Sequence, residues 1–468
     1  MDNLDIATRE GSITTVPGAA AEALAGCVRG EFLLPGSPGY DTSRDIWNGM
    51  IDRRPGMILR CAGTSDVVAA VRFAREHDLL VAVKGGGHNV AGNAVCDGGL
   101  MIDLSAMRGV HVDPAARRAR AQGGATWGDF DAETQLYGLG TTGGLISATG
   151  VAGLTLGGGI GWLARAHGLA CDNLVSVDVV TADGNLVTAS KAENGELFWG
   201  LKGGGGNFGI ATSFEFDLYP VGPEVFGGMV VYPLEQARDA LARFRELMAE
   251  APEQLGGMCA VGTAPDGQRA VFLIGVYNGD LAEGEALLTP LRRMGGAILD
   301  NMAPTPYRVI QTLFDAGAPH GLRYYWKSSF LDALPDDAFD IVIEQCRRCP
   351  SAKSKIFIEF LGGAFGRVPR EATVFDHRQA LHNLLIIGAW EDAATDEANR
   401  AWARETWEVM QPHASEGVYM NYLGTEVDEG ANRIPAAYGP GKYDRLVALK
   451  TRYDPTNLFR MNQNIRPT

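Results

Sequence analysis

The run Lys84-Gly85-Gly86-Gly87-His88-Asn89 follows the apolar stretch Leu79-Leu80-Val81-Ala82-Val83 and joins a glycine loop to an imidazole. Consecutive glycines after a strand leave backbone N–H groups free to close around an anion, because no Cβ limits the turn or blocks a phosphate. His88 then stands beside whatever carries that phosphate. The expected chemistry is a phosphate-bearing cofactor with an imidazole next to it; the plainer reading is a histidine hydrogen-bonded in a tight turn. No Gly-x-Gly-x-x-Gly opens a helix with an acidic residue about 20 positions on, so a nicotinamide dinucleotide is not expected. Cys346-Arg347-Arg348-Cys349 has the spacing of half a zinc site, but no second pair or spaced histidines accompany it, and no metal is expected.

The loop needs a strand and a helix to hold it. Residues 57–59 read as a strand, Thr64-Ser65-Asp66 offers N-cap residues, and Val67, Val68, Val71 and Ala74 recur at helical spacing before the strand at 79–83. Residues 99–104 read as a further strand and 110–122 as a hairpin around Asp113-Pro114. A second glycine cluster spans 149–161, and a hairpin over 175–188 turns at Ala182-Asp183-Gly184-Asn185. A third cluster, 203–209, precedes a strand at 213–218. Three glycine loops at strand ends predict one ligand held along its length. Beyond the Pro-Gly punctuation at 219–223, strands at 226–232, 270–277, 355–361 and 384–390 alternate with amphipathic helices such as 235–248, which predicts a separate sheet-and-helix domain.

Composition narrows the class. The 468 residues include 61 glycines, close to twice the usual share, and these cluster in the first half of the chain. A formal charge of -15 argues against a nucleic-acid partner. No run of 18 apolar residues predicts a membrane span, and the opening residues carry no basic or apolar leader, so a cytoplasmic protein is expected. Seven scattered cysteines fit reduced thiols better than a disulfide framework.

Five motifs in order carry a resemblance: Gly-Gly-Gly-His-Asn at 85–89, Leu-Gly-Gly-Gly-Ile-Gly-Trp-Leu-Ala-Arg at 156–165, His-Gly-Leu-Ala-Cys-Asp-Asn-Leu at 167–174, Val-Val-Thr-Ala-Asp-Gly at 179–184 and Gly-Gly-Gly-Gly-Asn-Phe-Gly-Ile at 203–210. Together with the closing segment Tyr453-Asp454-Pro455-Thr456-Asn457-Leu458-Phe459 and Asn462-Gln463-Asn464-Ile465, the chain resembles the FAD-linked oxidases of the vanillyl-alcohol oxidase superfamily. Within it the match is to the berberine bridge enzyme-like branch, closest in type to its singly linked bacterial members.

The resemblance implies an α+β fold: a PCMH-type FAD-binding domain of two subdomains (1–220), a substrate domain with an antiparallel sheet flanked by helices (221–415), and a C-terminal segment (416–468) returning to the first domain. It implies FAD with its pyrophosphate in the turn 85–89 and its adenine end near 206–210. Cofactor contacts are implied at Lys84, Gly85, Gly86, Gly87, Asn89, Val90, Thr149, Gly150, Gly153, Leu154, Gly157, Gly158, Gly159, Gly161, Gly206, Asn207, Gly209, Ile210, Asn421, Asn462 and Asn464. His88 is implied as a covalent tether to the flavin 8α-methyl. Relatives linked a second time use a cysteine whose position falls here near Ile146, so a single tether is expected, with Cys171 a small buried residue packed near the flavin. Thr149 occupies the position that governs oxygen access in relatives, where the plant enzymes have valine or leucine.

The implied reaction is hydride transfer from an alcohol, hemiacetal or amine carbon of a small metabolite, alkaloid or sugar to flavin N5, with O2 reduced to H2O2. A dehydrogenase using another acceptor, or a flavin- or metabolite-binding protein without turnover, remain as alternatives. Tyr419-Met420-Asn421-Tyr422 resembles an element whose second tyrosine serves as base, a role that fits a phenol of lowered pKa, so Tyr422 is the catalytic candidate. A glutamate base of the family, counted back from Trp390, falls on Asn383, which makes alkaloid ring closure a less expected reaction. Arg378 and His382 lie nearby, and Tyr324 and Trp326 belong to an aromatic strand; with Asn383 these are the candidate substrate residues. A monomer or homodimer is expected.

Overall fold

The computed structural model describes residues 1–424, 433–439 and 441–468. A four-stranded sheet runs in the order Glu31–Leu33, Met57–Arg60, Leu100–Asp103, Val81–Lys84, with the last three mutually parallel. The helix Thr64–Glu76 is the crossover that returns the chain from Met57–Arg60 to the parallel strand Val81–Lys84, and Leu100–Asp103 then pairs between the two. The expected cap is replaced, however: the N-cap position is Gly63, and Asp66 instead accepts hydrogen bonds from the backbone N–H groups of Arg29, Gly30 and Ala62. A carboxylate that satisfies three orphan donors ties the helix start to the strand before it rather than to its own first turn.

A five-stranded antiparallel sheet follows, ordered Leu186–Ser190, Leu174–Val180, Ile210–Asp217, Arg118–Gln122, Val110–Asp113. It contains both predicted hairpins and the strand after the third glycine cluster.

The third sheet has eight strands. Its main path runs Leu299–Asp300, Glu224–Pro233, Arg269–Tyr277, Leu255–Thr263, Lys355–Phe360, His382–Trp390, Arg323–Leu331, and every pairing is antiparallel. Alternation gives it two faces: in Arg269–Tyr277, Val271 and Leu273 pack with the helices Ala237–Glu250, Leu281–Arg292, Asp336–Arg348 and Asp396–Met410, while Phe272 and Ile274 look the other way. The strand Leu255–Thr263 has no usable alternation, because Gly256, Gly257 and Gly262 interrupt it. Those glycines answer to tertiary neighbours: a Cβ on Gly256 would lie 2.1 Å from the Trp162 carbonyl oxygen, and one on Gly257 2.7 Å from Met248 Sδ.

The closing segment folds back onto the third glycine loop. Lys450, fully buried, donates to Asp454 (2.7 Å) and to the carbonyls of Asn207 (2.8 Å) and Phe459 (2.9 Å), while Ile465 N donates to Asn207 Oδ1 (3.0 Å). Among the described residues no helix is long and apolar enough to cross a membrane.

Candidate functional site

The helix-free face of the eight-stranded sheet and the three glycine loops enclose a cavity of about 810 Å3. Gly85, Gly86, Gly87, His88 and Asn89 line it from the first loop, Thr149, Gly150, Gly153, Leu154 and Gly157 from the second, and Gly206, Asn207, Gly209 and Ile210 from the third. Asn421, Tyr422 and Asn462 close it from the tail, and Tyr324 and Trp326 from the sheet. Gly86 and Gly150 meet backbone to backbone: a Cβ on either would come within 2.4–2.5 Å of the other's nitrogen. The glycines are there because two loops share one narrow floor.

Several expected contacts lie elsewhere. Lys84 turns its ammonium to the carbonyls of Ser43 (2.7 Å) and Asp45 (2.9 Å), so it braces the strand end and does not line the cavity. Val90 packs with Trp47, Leu322 and Tyr324, and its carbonyl accepts from Asn48. Gly158, Gly159 and Gly161 stand behind the lining; Gly159 N donates to Tyr419 Oη (2.9 Å), and a Cβ on Gly161 would strike the Gly143 carbonyl. Asn464 also lies off the lining, although the Oδ1 atoms of both Asn462 and Asn464 are buried without a partner. Cys171 is fully buried in the core and does not reach the cavity.

Arg378 is a structural residue. Its guanidinium makes a two-pronged ion pair with Asp172 (2.7 and 2.8 Å), deep in the core under Phe365 and Phe375. The Arg378→Met variant should lose about 3–5 kcal/mol of stability by leaving the Asp172 carboxylate buried and unpaired, read as a drop in the urea midpoint. His382 packs edge-on against Phe360 with ring centroids 4.8 Å apart, and burial pulls its pKa down to about 4. It stays neutral and outside the lining.

His88 sits in the cavity wall, stacked on Trp47 with centroids 5.0 Å apart and with Nδ1 3.5 Å from Thr149 Oγ1. Burial lowers its pKa to about 4, so its ring is neutral and carries a free nitrogen lone pair at physiological pH. Trp47 in turn stacks on Tyr324 at 3.6 Å, and the Tyr324 hydroxyl donates to the Pro319 carbonyl. Trp326 packs edge-on to Tyr422, and its Nε1–H is buried without a partner.

The surroundings of Tyr422 differ from the expectation. A phenol of lowered pKa is expected at Tyr422, yet burial and the adjacent Glu359 carboxylate hold its pKa well above the usual tyrosine value. Tyr422 Oη donates to Glu359 Oε1 (2.9 Å), and Asn383 Nδ2 donates to Glu359 Oε2 (2.6 Å). Burial raises the Glu359 carboxyl to about 7, with the two hydrogen bonds opposing that rise. Glu359 faces Asn383 directly across the strand pair. A carboxylate therefore stands one strand over from the position where sequence counting finds only an amide. The signal for it in the sequence is slight: one acid in the alternating strand Lys355-Ile356-Phe357-Ile358-Glu359. Tyr419, next to this pair, accepts from Gly159 N, Ile160 N and Asn421 Nδ2, and Asn421 also donates to the Leu154 carbonyl (2.9 Å). A Cβ on Gly157 would lie 1.9 Å from Asn421 Oδ1, so the second glycine loop and the tail fit only without a side chain there.

Residues 55–190 match the family model described as FAD binding domain, and residues 418–466 the one described as berberine and berberine like. The chain is 32% identical to an FAD-linked oxidoreductase of Dictyostelium discoideum, across 90% of this chain and 91% of that protein. It is 30% identical to (R)-6-hydroxynicotine oxidase of Paenarthrobacter nicotinovorans, covering 94% and 97%. The crystal structure of 6-hydroxy-D-nicotine oxidase from Arthrobacter nicotinovorans superposes with a TM-score of 0.86 at 30% identity, over 94% of this chain and 98% of that one. Similarity across nearly the full length settles the class: this chain belongs to the berberine bridge enzyme-like family of FAD-linked oxidoreductases.

Proposed function

We propose that the protein is an oxidase of small organic alcohols, hemiacetals or amines, with Glu359 as the proton acceptor and His88 as the single covalent tether of its FAD. The observation that carries this is the Glu359–Tyr422 pair, a buried carboxyl poised near 7 in the same cavity as a neutral histidine on a glycine loop. The cavity suits FAD: Gly153 and Gly206 line it with open space where a Cβ would stand, which leaves room for a phosphate-bearing group, and the unpartnered Asn462 Oδ1 awaits a donor. FAD, when bound among these loops, would supply the hydride acceptor and the link to O2 as oxidant, with H2O2 as the product.

The protein's own part is proton handling and orientation. Glu359, once ionised, accepts the proton from the substrate O–H or N–H as the neighbouring C–H bond breaks. Tyr422 and Asn383 aim its two oxygens, and Trp326 Nε1–H offers the substrate a hydrogen bond. Because the base works only when deprotonated, kcat/KM should rise with pH and level off above about 7. Asn383→Leu removes a donor to the charged form, so that limb should move upward by about one pH unit in a stopped-flow pH profile.

The decisive experiment mixes the yellow protein anaerobically with a panel of alcohols, amines and sugars, then readmits air. Bleaching followed by fast recolouring and stoichiometric H2O2 is the expected result. Recolouring only with a dye acceptor makes it a dehydrogenase, and bleaching by no member of the panel sinks the catalytic reading.

A further inference from the structure

Lys355 stands on the cavity face of the strand Lys355–Phe360, in line with Phe357 and Glu359, while Ile356, Ile358 and Phe360 turn to the helix-covered core. Its stem lies over Gly262 of the neighbouring strand, where a Cβ would come 2.7 Å from Lys355 Cγ. The glycine thus makes the room that lets a long cation lie along the cavity wall. Lys353, at the same end of the cavity, is engaged with Glu391 at 3.0 Å. Lys355 has no ion-pair or hydrogen-bond partner among the described residues, and burial pulls its pKa below the ordinary lysine value. The only carboxylate among the described lining residues is Glu359, four positions and about 13 Å of strand away, already held by Asn383 and Tyr422. Between them the wall is apolar and aromatic, with Phe357, Leu385, Ile387 and Phe272.

A half-buried ammonium without a counter-ion in an apolar channel is a cost unless a ligand supplies the charge. The geometry points to a substrate with an apolar or aromatic body that carries a carboxylate at the end away from the oxidised carbon, bound by Lys355. This deepens the oxidase reading and rests on it for the direction in which the substrate lies. The carboxylate end takes the Lys355 ammonium, the body spans the aromatic wall, and the reacting O–H or N–H reaches Glu359.

Calorimetric titration of the FAD-loaded protein tests this with phenylacetate, 3-phenylpropionate, 4-phenylbutyrate and 4-hydroxycinnamate, each against its neutral amide. At least one acid should bind about tenfold or more tightly than its amide, as a hydrogen bond to a charged group predicts. Lys355→Met should erase that preference with FAD content unchanged, and Lys355→Arg should retain it. The proposal is overturned if no acid outbinds its amide on the unaltered protein, or if the preference survives in Lys355→Met. The two readings fail separately: acid preference in a protein whose flavin no substrate bleaches sinks the oxidase reading alone, and a bleachable flavin without acid preference sinks this one alone.

Discussion

Glu359→Gln should slow substrate-driven flavin reduction by about 100- to 10,000-fold, the usual contribution of a positioned general base. Glutamine is nearly isosteric and keeps a carbonyl oxygen for Tyr422 or Asn383, so the sheet pairing and the FAD content should be unchanged. The residual rate should also be flat through pH 7, because the group whose ionisation produces the rise is gone. Stopped-flow reduction across pH 5.5 to 9 reads both effects. A Glu359→Gln enzyme that reduces its flavin at an unaltered rate would remove the carboxylate from the chemistry. Tyr422→Phe separates the partners. If Tyr422 acts through Glu359, its loss should cost less than loss of the carboxylate and should move the acid limb upward, since one donor to the ionised form disappears.

His88→Ala should convert complete retention of yellow colour in an acid-precipitated pellet to complete release into the supernatant. The side chain has the features such a bond requires: a nitrogen kept unprotonated by burial, a ring held by stacking on Trp47, and a position in the cavity wall. The seven cysteines offer no rival at this site, since none lines the cavity. Colour retained in the His88→Ala pellet would place the bond on another residue; colour released from the unaltered protein would mean no bond at all.

Much of this site is legible in the chain because glycine marks backbone requirements that are local. The turn at 85–89 follows a strand, and Gly87 has φ +70°, a conformation that side chains disfavour. Gly150 and Gly157 read only as members of a cluster; what they make room for, the Gly86 backbone and the Asn421 amide, lies far away in sequence. Lys84 and Val90 show the limit of reading by adjacency. Both flank the loop, yet strand alternation and the pull of the Ser43 and Asp45 carbonyls turn Lys84 away from the cavity, and packing with Trp47, Leu322 and Tyr324 takes Val90 out of its lining. Arg378 shows another: a charged side chain near aromatic strands reads as a ligand contact, and burial against Asp172 makes it a core ion pair.

The strand Leu255–Thr263 escapes a sequence reading for a related reason. Its glycines lower strand propensity, and only the tertiary neighbours pressed against them, the Trp162 carbonyl, the Met248 side chain and the Lys355 stem, explain them.

By itself the sequence determined the cofactor loops and the family, since both rest on short runs whose residue types dictate backbone shape. Only the tertiary structure decided which groups meet around Tyr422. It aligns Glu359 with Asn383 across a strand pair and brings in Tyr422 from 63 positions away, in a place where burial raises both the carboxyl and the phenol while the two hydrogen bonds hold the carboxyl's rise back. Proton affinity is a property of burial and of neighbours, and neither is written in the residues on either side.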